Sequence, residues 1–311
     1  MAEKSAYFYE VKLYDSNDRE MDIKELKVLY DEIFKKHCIN DSMELDKSID
    51  NKVNMDIIFN RTDFLFCKFG KEKDNTTLQV RDNETRRTDL AIPLKDSGKK
   101  TLEVYTYFLL DYKAGIISII RGQSAPTKNM INNIFSVYND KYRTELLPVY
   151  SIDTYKKLYK KRSKLSKFSI TLTRPNEQIV KAIVGDSIGR KEMSKYLAEG
   201  KRKVTLELSA SEGKKYITDD YVEIPDLIQP IVDSLTMNTE LCFRGSSGGN
   251  KVQDYSVGKK EMKYNTSINT YKVEDRKRIY FNQEEINDEF YEALKESYRI
   301  TKNDIMNILN K

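Results

Sequence analysis

Two strongly β-prone apolar runs, residues 102–110 and 115–120, are joined by only four residues, Asp111-Tyr112-Lys113-Ala114. So short a connection leaves no room for the crossover that a parallel pair needs, and the runs are expected to form an antiparallel hairpin. Because both runs are apolar nearly throughout, both strands are expected to be buried on both faces. The hairpin should therefore pass through the centre of a core.

The first half of the chain supplies partners for such a hairpin. Residues 7–13 read as a strand. A helix follows in which Ile23, Leu26, Leu29, Tyr30, Ile33 and Phe34 repeat at helical spacing, with Asp22 and Glu25 at capping-box distance. Between 55 and 94 the period shortens to that of strands, giving a meander over 55–59, 63–69, 77–81 and 89–94. Past the hairpin, Pro126 opens a helix whose Met130, Ile131, Ile134, Phe135 and Tyr138 share a face. Residues 146–150 read as a closing strand.

The texture changes near Ile152. Phe168, Ile170 and Leu172 alternate with Ser169, Thr171 and Thr173, and Val204, Leu206 and Leu208 alternate with Thr205, Glu207 and Ser209. These patterns describe two half-exposed strands. Between them, one helix is expected to start near Asn176 and carry Ile179, Val180, Ile183 and Val184, and another to cover 191–198. Residues 226–235 then read as a helix kinked at Pro230, 239–243 as a strand, and 283–309 as a long closing helix capped by Asn282 and Glu285. At 311 residues, two domains are expected, 1–151 and 152–311. The fold class is α+β, with two mixed or antiparallel sheet units, packed helices and a long C-terminal helix.

Composition removes most histidine-dependent chemistry. There is one histidine, His37, no tryptophan, and three separated cysteines, Cys38, Cys67 and Cys242, which suggest neither a disulfide framework nor a zinc knuckle. His37 and Cys38 are adjacent, so their side chains point in different directions and are poorly placed to chelate one ion. No G-x-S-x-G or H-E-x-x-H motif occurs, and neither a catalytic residue nor a cofactor is expected. No stretch approaches the roughly 18 apolar residues of a membrane span, and the first residues lack a signal peptide's apolar core, so the expected location is the cytoplasm.

The net charge of +5 conceals an asymmetry, because residues 1–60 carry −5 and the rest of the chain +10. The densest positive segment is 155–167. Between 156 and 174 there are eight basic residues and no acidic one. In a helix, Lys156, Lys160 and Lys164 fall on one face with Lys157 and Lys161 beside them, while Tyr155, Leu158 and Tyr159 anchor the segment. Such a stripe, completed by Arg162 and Lys167, suits a rod of phosphates and carries no sequence information by itself. The alternative is an ordinary solvated helix face in a Lys-rich chain.

A second candidate is the glycine-rich stretch 244–251, whose backbone amides can approach phosphates between Arg244 and Lys251. It is not a Walker A loop, and neither is 185–191. Lys259, Lys260, Lys263, Arg276, Lys277 and Arg278 form a weaker basic cluster diluted by acids. Asp226, Glu261 and Lys263 mimic the spacing of a metal-dependent nuclease. A third reading is a protein-interaction module that meets its partner through the acidic N-terminal helix.

The paired strands across Tyr107-Phe108-Leu109-Leu110 and 115–121, the turn to Pro126, the helix to Tyr138 and the strand at Leu146-Leu147-Pro148 resemble the RexA-like family of phage exclusion proteins. The later strand–helix–strand unit and the C-terminal helix recur in the same order, so the resemblance runs from about residue 55 to the end. It implies a homodimer that binds double-stranded DNA without sequence preference and acts in phage exclusion or antiviral defence with a membrane-protein partner. It carries over no catalytic residue. The acidic N-terminal helix departs from the family pattern. On this reading the DNA-binding residues are Lys156, Lys157, Lys160, Lys161, Arg162, Lys164, Lys167, Arg244 and Lys251.

Overall fold

In the computed structural model, the central hairpin organises the larger of two units, Met1–Val149 with Glu261–Lys311. The structure describes residues 2–46, 52–73, 79–81, 84–92, 100–173, 203–211, 213–233, 239–274 and 277–310. The helices expected near Asn176 and over 191–198, the 185–191 loop and Arg276 lie outside them.

The first unit starts with β1 (Ala2–Asp15) and α1 (Glu25–His37), followed by β2 (Ser42–Asp46), β3 (Val53–Asn60) and β4 (Phe64–Lys73). A separate small hairpin, β5 (Gln79–Arg81) and β6 (Thr88–Leu90), pairs only with itself, so the expected meander is divided between two sheets. Then come β7 (Leu102–Asp111), β8 (Ile116–Arg121), a 3₁₀ turn (Lys128–Ile131), α2 (Asn133–Tyr138) and β9 (Tyr142–Pro148). After the second unit, the chain returns as β16 (Lys263–Ile268), the hairpin β17 (Tyr271–Glu274) and β18 (Lys277–Tyr280), and α4 (Gln283–Leu309). The main sheet has the order β16-β1-β8-β7-β4-β3-β2, with β9 also pairing β1. Every pairing in it is antiparallel.

Both faces of this sheet are covered, as the apolar runs anticipate. Phe108, Leu110, Ile117 and Ile119 point into a core shared with α1 and α2. Tyr107, Leu109, Ile116 and Ile120 point the other way, into a core shared with Leu294, Tyr298 and Ile305 of α4. The period-two alternation of the strands thus feeds two apolar layers from one sheet. Asp111 ties the hairpin to α4. One of its carboxylate oxygens accepts the Lys113 and Ala114 amides at 3.0 Å each, and the other accepts the Tyr298 hydroxyl at 2.9 Å and the Lys302 ammonium at 3.1 Å.

The second unit, Tyr150–Lys260, is an insertion. It contains β10 (Tyr150–Ile152), a 3₁₀ turn (Thr154–Tyr159), β11 (Lys164–Thr173), β12 (Lys203–Ser209), α3 (Glu223–Asp233), β13 (Thr239–Ser246) and β14 (Gln253–Ser256); β15 (Lys259–Glu261) pairs with β10. Its four-stranded antiparallel sheet has the order β12-β11-β13-β14. One face packs Leu165, Leu241, Phe243 and Tyr255 against Ile224 and Ile228 of α3.

The chain therefore divides differently from the expected 1–151 and 152–311. The departure point lies within two residues of the expected boundary, but β16 and α4 belong to the first unit. The cause is pairing across the sequence: β16 lies alongside residues 2–7 of β1, and α4 covers one face of the main sheet.

Candidate nucleic-acid interface

The basic segment is not the continuous helix its spacing suggests. Asp153 adopts a left-handed backbone conformation (φ 47°), and its side chain accepts the Gly258 amide at 2.9 Å. Thr154 Oγ1 accepts the Ser256 amide at 2.7 Å. These contacts start a 3₁₀ turn that ends at Tyr159, because Lys160 is already extended (φ −75°, ψ 150°). Arg162 is left-handed (φ 63°), and β11 begins at Lys164. The strand wins because Leu165 and Phe168 reach the core through ladders to β13, which helical local spacing cannot anticipate. The anchors nevertheless keep their role, since Tyr155 and Leu158 share a face in a 3₁₀ turn as they would in an α-helix. Both are buried, and burial pushes the Tyr159 hydroxyl up to about 12.

The glycine-rich stretch closes on this segment from about 90 residues away. The Ser247 hydroxyl donates to the Lys157 carbonyl at 2.5 Å, the Gly248 amide donates to the Ser163 hydroxyl at 3.4 Å, and the Asn250 amide closes the turn on the Ser247 carbonyl at 3.1 Å. Gly248 and Gly249 both hold positive φ, 61° and 84°, where a side chain would be strained. Two turns of the second unit are thus stitched side by side. They bring Lys157, Lys160, Lys161 and Arg162 to the same end of the unit as Lys251.

Of the nine expected contact residues, Lys157 sits in the stitched turn with its carbonyl accepting from Ser247, and the other eight divide by their partners. Lys156 lies 3.7 Å from Asp153, Lys164 4.0 Å from Asp219, Lys167 2.6 Å from Glu207 and Arg244 3.8 Å from Asp254. Lys167 and Arg244 stand opposite each other on β11 and β13, on the sheet face away from α3, where these carboxylates balance them. By contrast, Lys160, Lys161, Arg162 and Lys251 are exposed and have no ion pair among the described residues. Partly exposed pairs such as Lys156–Asp153 and Lys164–Asp219 are worth little and can exchange for a phosphate.

Two further cations belong to this region. The Lys164 and Lys215 ammonium groups lie over the Tyr216 ring at 4.9 and 5.8 Å, and Lys214 adjoins them, exposed. In the sequence, Lys214-Lys215 is an ordinary pair some 50 residues from the basic run, and only the bridge between Leu165 and Thr218 reveals its place.

The nuclease residues do not form a centre within either unit. Asp226 sits on α3 in the second unit, whereas Glu261 and Lys263 belong to the first. Among the described residues, no group of three or more His, Cys, Asp or Glu side chains is placed to hold a metal ion. His37 stacks on Tyr138 at 4.6 Å, and burial raises the thiols of Cys38 and Cys67. Lys259 rests over the Tyr150 ring, and Lys277 and Arg278 lie on β18. No helix among the described residues is long and apolar enough to cross a membrane. No known family model matches this chain, and neither does any curated protein.

Proposed function

We propose that this protein binds double-stranded DNA through its phosphates without sequence preference, using the stitched turns of the second unit. Lys160, Lys161, Arg162 and Lys251 make the primary contact, Lys157 and the Gly248–Gly249 turn lie beside them, and Lys156, Lys164, Lys214 and Lys215 extend the surface. Lys167 and Arg244 hold the sheet face through their carboxylate partners and contribute less than the sequence suggests. The observation that carries this reading is four exposed cations, with no ion pair among the described residues, at one end of a small domain beside a glycine turn. Such a surface offers charge and counterion release, which carry no sequence information by themselves. The resemblance to RexA-like proteins adds the biological setting: a cytoplasmic homodimer acting in phage exclusion or antiviral defence, with a membrane-protein partner.

The test is fluorescence anisotropy with unrelated duplexes over a series of salt concentrations. All duplexes should bind alike, and affinity should fall linearly with salt on logarithmic axes. Neutralising Lys160, Lys161 and Arg162 together should shallow that slope by about 0.9 for each phosphate that the variant no longer neutralises. Salt-independent binding, or binding to one sequence alone, refutes the reading. Recovering the DNA intact in Mg²⁺ separates it from the nuclease alternative.

A further inference from the structure

The first unit has an open groove of about 630 Å³, of the size that takes small organic ligands. Its floor follows from strand alternation. Tyr7 and Tyr9 on β1 and Ile119 and Arg121 on β8 lie on the sheet face that α1 and α2 cover elsewhere. At this end Tyr9 is buried at the groove's edge and Tyr7 is half-buried beside it. Thr127, Lys128 and Asn129, at the start of the 3₁₀ turn, form one wall, and Gln123 and Glu261 complete the lining.

The chemistry of this groove is unspent. Arg121, Lys128 and Glu261 have no ion pair among the described residues, and the amides of Gln123 and Asn129 make no side-chain hydrogen bond among them. Lys128 is held with its ammonium 4.2 Å above the Tyr9 ring, which positions the charge without neutralising it. One held cation, with an exposed guanidinium lining the same groove, suits a phosphate. A tyrosine face suits a planar ring. Two amides and one carboxylate supply both donors and acceptors for the edge of a base and the hydroxyls of a sugar.

We propose that this groove is a mononucleotide-binding site, with Arg121 and Lys128 on the phosphate, Tyr7 against the base, and Glu261 accepting from the sugar or base. The residues of this groove belong to the first unit and the proposed DNA contacts to the second.

Isothermal titration of the full chain with AMP and CMP, with adenosine and inorganic phosphate in parallel, tests it. Both mononucleotides should saturate the protein at one site, at least about tenfold more tightly than either fragment. Arg121→Ala and Lys128→Ala should each weaken binding about tenfold or more. Glu261→Gln should weaken it less, and neutralising Lys160, Lys161 and Arg162 should leave it unchanged. An unaltered melting temperature for the Arg121 and Glu261 variants, both at exposed positions, keeps the weaker binding attributable to the groove itself. No saturation at millimolar nucleotide overturns the proposal. So does phosphate binding as tightly as AMP, which leaves only an anion site. Displacement of AMP by duplex DNA also overturns it, because the groove would then belong to a polymer surface.

Discussion

Gly245 decides whether β11 and β13 can meet. A Cβ at this position would collide with the Lys164 carbonyl and press within 3.2 Å of Leu158. The first obstacle is backbone that pairs in the same ladder, so it cannot swing aside as a side chain end would. Gly245→Ala should therefore cost about 1–3 kcal/mol, measured as a lower urea midpoint, and should splay the turns that carry Arg162 and Lys251. The sequence shows Gly245 only as the first glycine of a loop, because the carbonyl it must accommodate lies about 80 residues away. Strand pairing likewise decides that Lys167 meets Glu207 and that Arg244 meets Asp254, which stand on neighbouring strands. Charge in a sequence records which cations exist, whereas the fold decides which are already satisfied.

Helix ends follow the same division between near and distant causes. For α4 the sequence suffices: the Asn282 side chain accepts the Glu285 amide at 2.9 Å, and the Glu285 side chain accepts the Asn282 amide at 2.8 Å. Asn282→Ala should cost about 1 kcal/mol, checked by thermal melting. Asp22 and Glu25 have the same spacing and form no such box. Asp22 instead accepts the Lys24 amide at 3.0 Å, and α1 starts at Glu25, too early for that side chain to reach back. The contact between α4 and the main sheet is also sensitive to alkali. Tyr107 stacks on Phe290 at 4.0 Å, accepts from Gln283 and donates to Asn287, and burial pushes its hydroxyl up to about 12. An unfolded tyrosine ionises near pH 10. Between pH 10 and about 12 the unfolded chain loses a proton that the folded one keeps, so this tyrosine's contribution to stability is full below pH 10 and falls as pH rises through that window. Tyr298, raised by burial beside Asp111, acts in the same direction. The buried thiols of Cys38 and Cys67 act earlier in the same direction, because unfolded thiols ionise at about pH 8.5. The urea midpoint should therefore begin to fall above about pH 8.5 and fall more steeply above about 10.

The placement of the second unit gives the most decisive stability experiment. The Met262 amide donates to the Val149 carbonyl at 2.7 Å, so the chain leaves the first unit and rejoins it at neighbouring points. A chain in which residues 1–149 run through a short Gly-Ser linker into 261–311 keeps β16 on β1, keeps α4 over its face of the sheet, and closes a gap that the native hydrogen bond already spans. That chain should melt cooperatively and elute as a discrete species. A chain ending at residue 151, which is where composition and texture alone place the boundary, lacks both elements. It leaves Phe8, Tyr107, Leu109, Ile116 and Ile120 without the α4 layer, an apolar face too large for a soluble unit, and should aggregate. The longer elements, such as the central hairpin and α4, are legible because each carries its own periodic pattern, whereas short strands such as β2, β14 and the return strand β16 carry too few residues to declare themselves. The grouping of elements is not legible, because a return strand is indistinguishable from a new one until its partner is known. If the bypassed chain folds and no longer shifts duplex DNA while the intact protein does, fold and function separate at Val149 and Glu261. If it folds and still binds, the contact surface lies in the first unit and the stitched turns are not the DNA site.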